Sequence, residues 1–242
     1  MGGPIETDVI VLGVGTCGED ASLQLMDAGL EVIGVEAALV GGECPYWACL
    51  PSKRLLRNAQ MLAEARRADG VAGAVSVDAD WSLVAAQVRA EVTGGWDDAG
   101  AVGRFRQRGG TLVRGYGHFS GAREITVDEV VISARRGVVI ATGSTPVIPD
   151  IPGLAEAGAW THRDIVSAET LPKSMVVIGA GAVGCELSQL FTRFGTKVTI
   201  IDPAGRLLPR EEPEVSAALA DVLASEGIEV ITGVEIRSAS PS

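Results

Sequence analysis

The most reactive pairing in this 242-residue sequence is two cysteines with four residues between them, Cys44 and Cys49. They stand in Gly41-Gly42-Glu43-Cys44-Pro45-Tyr46-Trp47-Ala48-Cys49-Leu50-Pro51-Ser52-Lys53. Close thiols can exchange a bond with each other, hold a metal or simply fill a core. Apolar residues at helical spacing follow them (Leu55, Leu56, Ala59, Leu62, Ala63), so a helix is predicted from the pair to about Ala68. In a regular helix two residues five apart lie about 140° apart around the axis and about 7.5 Å along it. A disulfide, with Cα atoms ~4.4–6.8 Å apart, does not bridge that easily. The segment must therefore bend, as Pro45 and Pro51 suggest, and a bond closed over such a turn is strained and easily reduced. The helix N-terminus favours a thiolate at Cys49, as do Lys53 and Arg54 if they point toward it. Two alternatives stay open. Unrelated buried cysteines need no partner, and a zinc site needs two more ligands, for which only His118 and His162 are on hand; no metal site is predicted.

The second chemical signal is a repeat. Asp8 to Gly18 is an apolar run feeding a G-x-G-x-x-G turn, and Met175 to Gly184 is another. A shift of 166 positions places Gly13 on Gly179, Gly15 on Gly181 and Gly18 on Gly184, and also Gly29 on Gly195, Val32 on Val198 and Glu36 on Asp202. Each copy thus reads strand, glycine turn, helix, second strand and terminal acid, a βαβ dinucleotide unit. The glycines let a pyrophosphate reach the backbone at a helix N-terminus, and the acid accepts hydrogen bonds from a ribose. Two such sites suggest an electron carrier that passes a hydride between two nucleotides. Asp202 favours NAD over NADP, because a carboxylate repels a 2′-phosphate.

The elements that must position these groups fit the composition. Apolar residues make up 47%, aromatics only 4%, and glycine occurs 31 times, as in a globular α/β protein of one large or two modest domains. A net charge of −11 argues against nucleic acid or an anionic membrane as partner. The opening stretch Met1 to Asp8 lacks a basic leader and Val9 to Val14 is too short to span a bilayer, so a cytoplasmic location is expected. Helices are predicted over Asp80–Arg89 and Trp96–Arg108. Strands at Thr111–Gly115, Glu124–Val127 and Glu129–Ala134 read as a three-stranded insertion before a further strand, Gly137–Ile140. Proline-rich Pro146–Pro152 marks the crossing between domains 1–150 and 151–242. Trp81, Trp96 and Trp160 read as core or interface packing, Cys17 and Cys185 as helix packing, and Arg104–Arg108 as a solvated helix end.

Five blocks in order resemble the pyridine nucleotide-disulfide oxidoreductase family, the flavoenzymes that include dihydrolipoamide dehydrogenase, glutathione reductase and mercuric reductase. They are G-x-G-x-x-G at Gly13–Gly18, GGxC-x4-C-xPSK at Gly41–Lys53, ATGSxP at Ala141–Pro146, G-x-G-x-x-G-x-E at Gly179–Glu186 and RLLP at Arg206–Pro209. The resemblance implies two Rossmann-like dinucleotide-binding units, FAD on the first and NAD, in preference to NADP, on the second. It implies that Gly13, Gly15, Thr16, Gly18, Glu36, Gly42, Gly117, Ala141, Thr142 and Gly143 contact FAD, and that Gly179, Gly181, Val183, Gly184 and Asp202 contact the nicotinamide nucleotide. It makes Cys49 the thiol against the flavin and Cys44 the one that attacks substrate. Lys53 would sit by the flavin and pair with Glu186, although the two are 133 residues apart. His118, near the family's adenine-contacting strand, reads instead as a partly exposed strand residue.

Departures also bear on function. Pro45-Tyr46-Trp47-Ala48 replaces a slimmer family loop and Glu43 a common threonine, which leaves the electron acceptor open. The family pattern continues into the rest of the nicotinamide domain, a second FAD-contacting segment and a C-terminal interface domain that carries a proton relay and the dimer contact; within these 242 residues the second unit is incomplete and the interface domain absent. The resemblance therefore implies an FAD-dependent oxidoreductase, homodimeric when complete, that passes electrons from NAD(P)H through a Cys44–Cys49 disulfide to a small-molecule acceptor. A chain of this extent is expected to be a poor catalyst alone. The rivals are a silent nucleotide-binding fragment and a quinone-type flavin reductase for which the cysteines are dispensable.

Overall fold

The computed structural model describes residues 3–240, so that Met1 and Gly2, the start of the stretch read for a leader, lie outside it. The chain divides into two compact units, residues 1–51 with 89–146 and residues 52–88 with 147–242. Segment 52–88, which the division at residue 150 assigns to the first domain, thus groups by contact with the second.

In chain order the elements are β1 (Ile5–Leu12), α1 (Thr16–Asp27), β2 (Val32–Glu36), α2 (Glu43–Tyr46), α3 (Cys49–Ala68), α4 (Trp81–Gln87) and α5 (Ala99–Gln107). Strands β3 (Thr111–Arg114), β4 (Gly117–Gly121), β5 (Glu124–Val127) and β6 (Val130–Ile140) follow, then α6 (His162–Ser167), β7 (Ser174–Ile178), α7 (Ala182–Arg193), β8 (Lys197–Asp202), α8 (Pro213–Ser225) and β9 (Glu229–Thr232).

The first unit holds a six-stranded sheet in the order β3-β2-β1-β6-β5-β4. Strands β3, β2, β1 and β6 run parallel, and β6, β5 and β4 form an antiparallel meander. Both faces of β1 are covered, as a central parallel strand requires. Val9 and Val11 lie with Leu25, Met26 and Leu30, while Ile10 and Leu12 pack with Ile33, Val35, Ile125 and Ile132. The second unit holds a parallel sheet, β7-β8-β9. Its Trp81 is buried, stacked on Phe191 at 5.9 Å and edge-on to Phe194 at 5.2 Å.

Several expectations are corrected. Thr111–Gly115 does not open an insertion: β3 pairs in parallel with β2, Ile33 opposite Thr111. The strands predicted at Glu129–Ala134 and Gly137–Ile140 are one strand, β6. Arg135 and Arg136 broke the apolar pattern between them, but Arg135 pairs with Asp8 and Glu31, so the strand passes through. The helix predicted from Trp96 starts at Ala99, because Trp96 has a left-handed φ of 60° that a right-handed α-helix does not accommodate. The helix predicted over Asp80–Arg89 is capped by Asp80, whose carboxylate accepts from Leu83 N–H at 3.2 Å, and continues past Gln87 as a π turn, Val88–Val92. Cys17 is exposed rather than packed, and Trp160 is exposed as well, whereas Cys185 is buried.

Strand, turn and helix are closest where a glycine permits it. A Cβ on Gly18 would lie 1.9 Å from the Gly13 carbonyl oxygen, and one on Gly184 would lie 2.0 Å from that of Gly179. A Cβ on Gly181 meets nothing within 4 Å. Gly184→Ala should therefore lose about 2–3 kcal/mol of stability in urea unfolding, and Gly181→Ala less than about 0.5 kcal/mol. Equal losses at the two positions would refute this account of the turn.

Candidate functional site

The two glycine turns are the same structure built twice. Gly13 N–H donates to the Val35 carbonyl at 2.8 Å, and Gly179 N–H to that of Ile201 at 2.9 Å. Glu36, at the end of β2, accepts from Val14 N–H at 2.7 Å and Ala38 N–H at 2.8 Å; Asp202, at the end of β8, accepts from Ala180 N–H and Ala204 N–H, both at 2.6 Å. Every partner is displaced by the same 166 positions. Each carboxylate oxygen retains a second lone pair for a ligand hydroxyl. Helices α1 and α7 start from Gly15 and Gly181, neither of which brings a side-chain cap, so their first turns present backbone N–H groups and a positive dipole end outward. Such a turn can hold a phosphate.

In the first unit two further segments close on the turn. Ala141 N–H donates to Leu12 O at 2.8 Å, and the Ala141 carbonyl fills the space of a Gly13 side chain, so Ala141-Thr142-Gly143 leaves β6 directly at the cradle. Gly117 sits on β4 where a Cβ would meet Leu12, Val35 and Ile125 within about 3 Å, a packing reason for its lack of a side chain. His118, next to it, is exposed.

The cysteine segment is tied to the same turn. Gly41 forms a parallel bridge with Gly15, the Thr16 hydroxyl donates to Gly41 O at 3.2 Å, and a Cβ on Gly42 would lie 2.7 Å from Gly15 Cα. The bend that the spacing demanded is the short α2 followed by Trp47 and Ala48, after which Cys49 opens α3. The two cysteines form no disulfide, and their side chains are in contact. The Cys44 thiol is pushed up from its ordinary value, first by its hydrogen bond with the Cys49 side chain, then by burial and by the charge of Cys49; a backbone N–H of Cys49 and the Thr16 hydroxyl act in the opposite sense. Cys44 thus holds its proton at neutral pH and needs a base to become a nucleophile.

Within the second unit Lys53 Nζ meets Glu186 Oε2 at 2.5 Å, as the resemblance implied, while both side chains stay largely open to solvent. The residues that align the two helices carried no motif. Arg193, nearly buried, donates to both oxygens of Glu226 at 2.7 and 2.9 Å and to Gln60 Oε1 at 2.9 Å, and its carbonyl accepts from Arg66 at 2.7 Å. Burial raises the Glu226 carboxyl, yet the hydrogen bonds and charge of Arg193 hold it below its usual range. Gln60 follows Lys53 by seven residues and Arg193 follows Glu186 by seven, a spacing that could have exposed the contact. Val183 is exposed on the first turn of α7. Arg206 of the RLLP block donates to the carbonyls of Pro209 and Glu211, which closes its own loop. Among the described residues no helix is long and apolar enough to cross a membrane.

The family model for pyridine nucleotide-disulphide oxidoreductases matches residues 7–242. The chain belongs to this family. A dihydrolipoyl dehydrogenase from Acholeplasma laidlawii is 31% identical over 241 residues, covering 96% of this chain and 70% of that protein. One from Bacillus subtilis is 35% identical over 248 residues, covering 96% of this chain and 51% of its own length. A mercuric reductase from Staphylococcus aureus is 29% identical over 235 residues, with 94% of this chain and 41% of that one covered. The chain therefore spans 70% of one of these relatives and about half or less of the others. The HOCl-induced flavoprotein disulfide reductase RclA from Escherichia coli has the same fold over 96% of this chain and 50% of its own, with a TM-score of 0.83 at 24% identity. The family's members are FAD-dependent oxidoreductases that use a pyridine nucleotide, and the α/β architecture of two Rossmann-like units found here is theirs.

The proton on Cys44 gives a direct test. Alkylation of Cys44 by iodoacetamide, followed by mass spectrometry, should show a pH midpoint above that of an ordinary thiol, and Cys49→Ser should bring it down. A midpoint at or below the ordinary value would contradict the thiol contact.

Proposed function

We propose that this chain carries the electron-transfer half of an FAD-dependent disulfide oxidoreductase: FAD on the first glycine turn, NAD on the second, and Cys44 with Cys49 as the dithiol that hands two electrons to a small disulfide or a related acceptor. The domains follow as 1–150 for FAD and 151–242 for NAD. The observation that carries this reading is the attachment of the cysteine segment to the first glycine turn through Gly15, Thr16, Gly41 and Gly42. Thiols next to an uncapped helix N-terminus that belongs to a dinucleotide turn have a redox use that a core or zinc role would not require.

The residues fit the cofactors. Gly15 has only Gly42 Cα near its missing side chain, at 3.6 Å, and Gly181 has open space, so a pyrophosphate can reach both backbones. Glu36 and Asp202 are held by two backbone N–H groups each, with lone pairs left over for a ribose. When bound, FAD supplies the step that no side chain can, acceptance of a hydride from the pyridine nucleotide and delivery of its two electrons to sulfur. Cys49 stands exposed at the start of α3, and Lys53 follows one turn later on the same helix, where its ion pair with Glu186 fixes a positive charge. Cys44, protonated and hydrogen-bonded, becomes the attacking thiolate once a base removes its proton. By the resemblance that base belongs to a partner subunit of a cytoplasmic homodimer.

Reductive titration of the flavin-loaded chain with dithionite tests this. The wild type should take up one two-electron equivalent more than its flavin alone requires, and Cys44→Ser should lose that equivalent while it keeps the flavin. Identical uptake would favour a flavin reductase that does not use the cysteines, and a chain that retains no flavin would leave a nucleotide-binding fragment. At the second site, Asp202→Ala should weaken NADH binding by about tenfold or more, as expected for loss of a charged hydrogen-bond acceptor worth ~1.5–3 kcal/mol, and should narrow the preference over NADPH. Unchanged affinity in calorimetry would sink the assignment of Asp202.

A further inference from the structure

The loop between the cysteines is clasped by a segment that no motif marks. Trp47, inside the loop, stacks on Trp96 with ring centroids 5.2 Å apart and planes inclined by 22°. Trp96 also donates its indole N–H to the Tyr46 carbonyl at 3.2 Å, and the Arg89 guanidinium lies over its ring at 5.2 Å from the centroid. Two residues later Asp98 accepts from Val40 N–H at 2.7 Å. Residues 96–98 therefore grip the cysteine segment both before Cys44 and before Cys49. Trp96 does this from a left-handed backbone, φ 60°, which a bulky aromatic adopts only when its surroundings compel it. Its N–H is anchored on Thr93 O at 3.0 Å, and buried Thr93 is anchored on Arg89 O at 3.0 Å. A strained residue with two separate contacts on one short loop is a device for holding that loop still.

We propose that Trp96 is a positioning residue for the Cys44/Cys49 couple, which with Trp47 holds the intervening loop in the bent form that keeps the two sulfurs together and so sets the reduction potential of the pair. The inference rests on the dithiol reading above. Forming the disulfide removes one proton and one electron from each thiol, and with glutathione disulfide as oxidant the Cys44–Cys49 bond forms as the glutathione S–S bond breaks to give two glutathione thiols. A loop already bent gives each sulfur a high effective concentration at the other, which favours the bond. Loosening the loop lowers that concentration and makes the pair more oxidising.

Equilibration of the full chain in glutathione buffers, with acid quench and mass measurement of maleimide-labelled thiols, reads the constant directly. Trp96→Ala should shift it about tenfold toward the dithiol, which corresponds to ~30 mV. Trp96→Phe keeps the stacked ring, loses only the donor to Tyr46, and should shift it about threefold in the same direction. Trp160→Phe, exposed elsewhere, serves as control. Should Trp96→Ala fail to fold by circular dichroism, Trp96→Phe decides alone. Folded variants with an unchanged constant would overturn the clasp while the dithiol reading stands. A wild-type chain that forms no Cys44–Cys49 bond across the buffer range would overturn both.

Discussion

The Gly13 carbonyl oxygen lies where a β-carbon on Gly18 would have to be, and the remaining geometry of the first unit follows from that contact. Only with the helix this close to the turn does α1 begin with its N–H groups aimed past the end of β1. Only then does the carboxylate at the end of β2 reach back to Val14 N–H and lock the turn. The second unit repeats the contact at Gly184 and Gly179, and the lock at Asp202 and Ala180. Since the same backbone bonds recur at one constant displacement, selection on side chains alone is a poor explanation for the repeat. What the two copies share is a backbone shape that presents donors to an anion.

That shape also determines where the sulfur chemistry can stand. Gly42 crosses Gly15 so closely that a Cβ on Gly42 would lie 2.7 Å from Gly15 Cα, and Thr16 spans the crossing with its hydroxyl. The cysteine segment is thus anchored to the cradle by backbone ahead of Cys44, whose thiol lies against Thr16 and Cys49. The four residues between the cysteines are held separately, through the stack of Trp47 on Trp96 and the indole N–H that Trp96 donates to the Tyr46 carbonyl.

Legibility in the sequence tracked the range of the interaction. The glycine turns, their acids and the helix after Cys49 were readable because each depends on a few residues close in sequence. The Lys53–Glu186 pair spans 133 residues and was reachable only through the family pattern. What escaped was of two kinds. Charge neutralised by distant partners misled the strand reading, as where Arg135 seemed to end a strand that Asp8 and Glu31 allow to continue. Backbone conformation unrelated to residue type misled the helix reading, as at Trp96, an ordinary helix residue by propensity that the structure holds in the left-handed region. The partner of Trp47 left no local trace, since it is chosen by a neighbour far along the chain, and that of Arg193 showed only as a heptad spacing from the Lys53–Glu186 pair.

The ion pair between Lys53 and Glu186 is a poor candidate for a stabilising contact. Its side chains are 61% and 42% exposed, and such pairs contribute about 0–1 kcal/mol. Arg193 is the opposite case: its charge is nearly buried, and removal of a partner from a buried pair costs about 3–5 kcal/mol. The two contacts lie one heptad apart on both helices, Lys53 to Gln60 on α3 and Glu186 to Arg193 on α7, a rise of about 10.5 Å and nearly two full turns. Register fixed at the buried cluster is therefore inherited by the exposed pair, with no requirement that the pair hold the helices together. The Lys53 ammonium is thus kept in place at little energetic consequence to the fold.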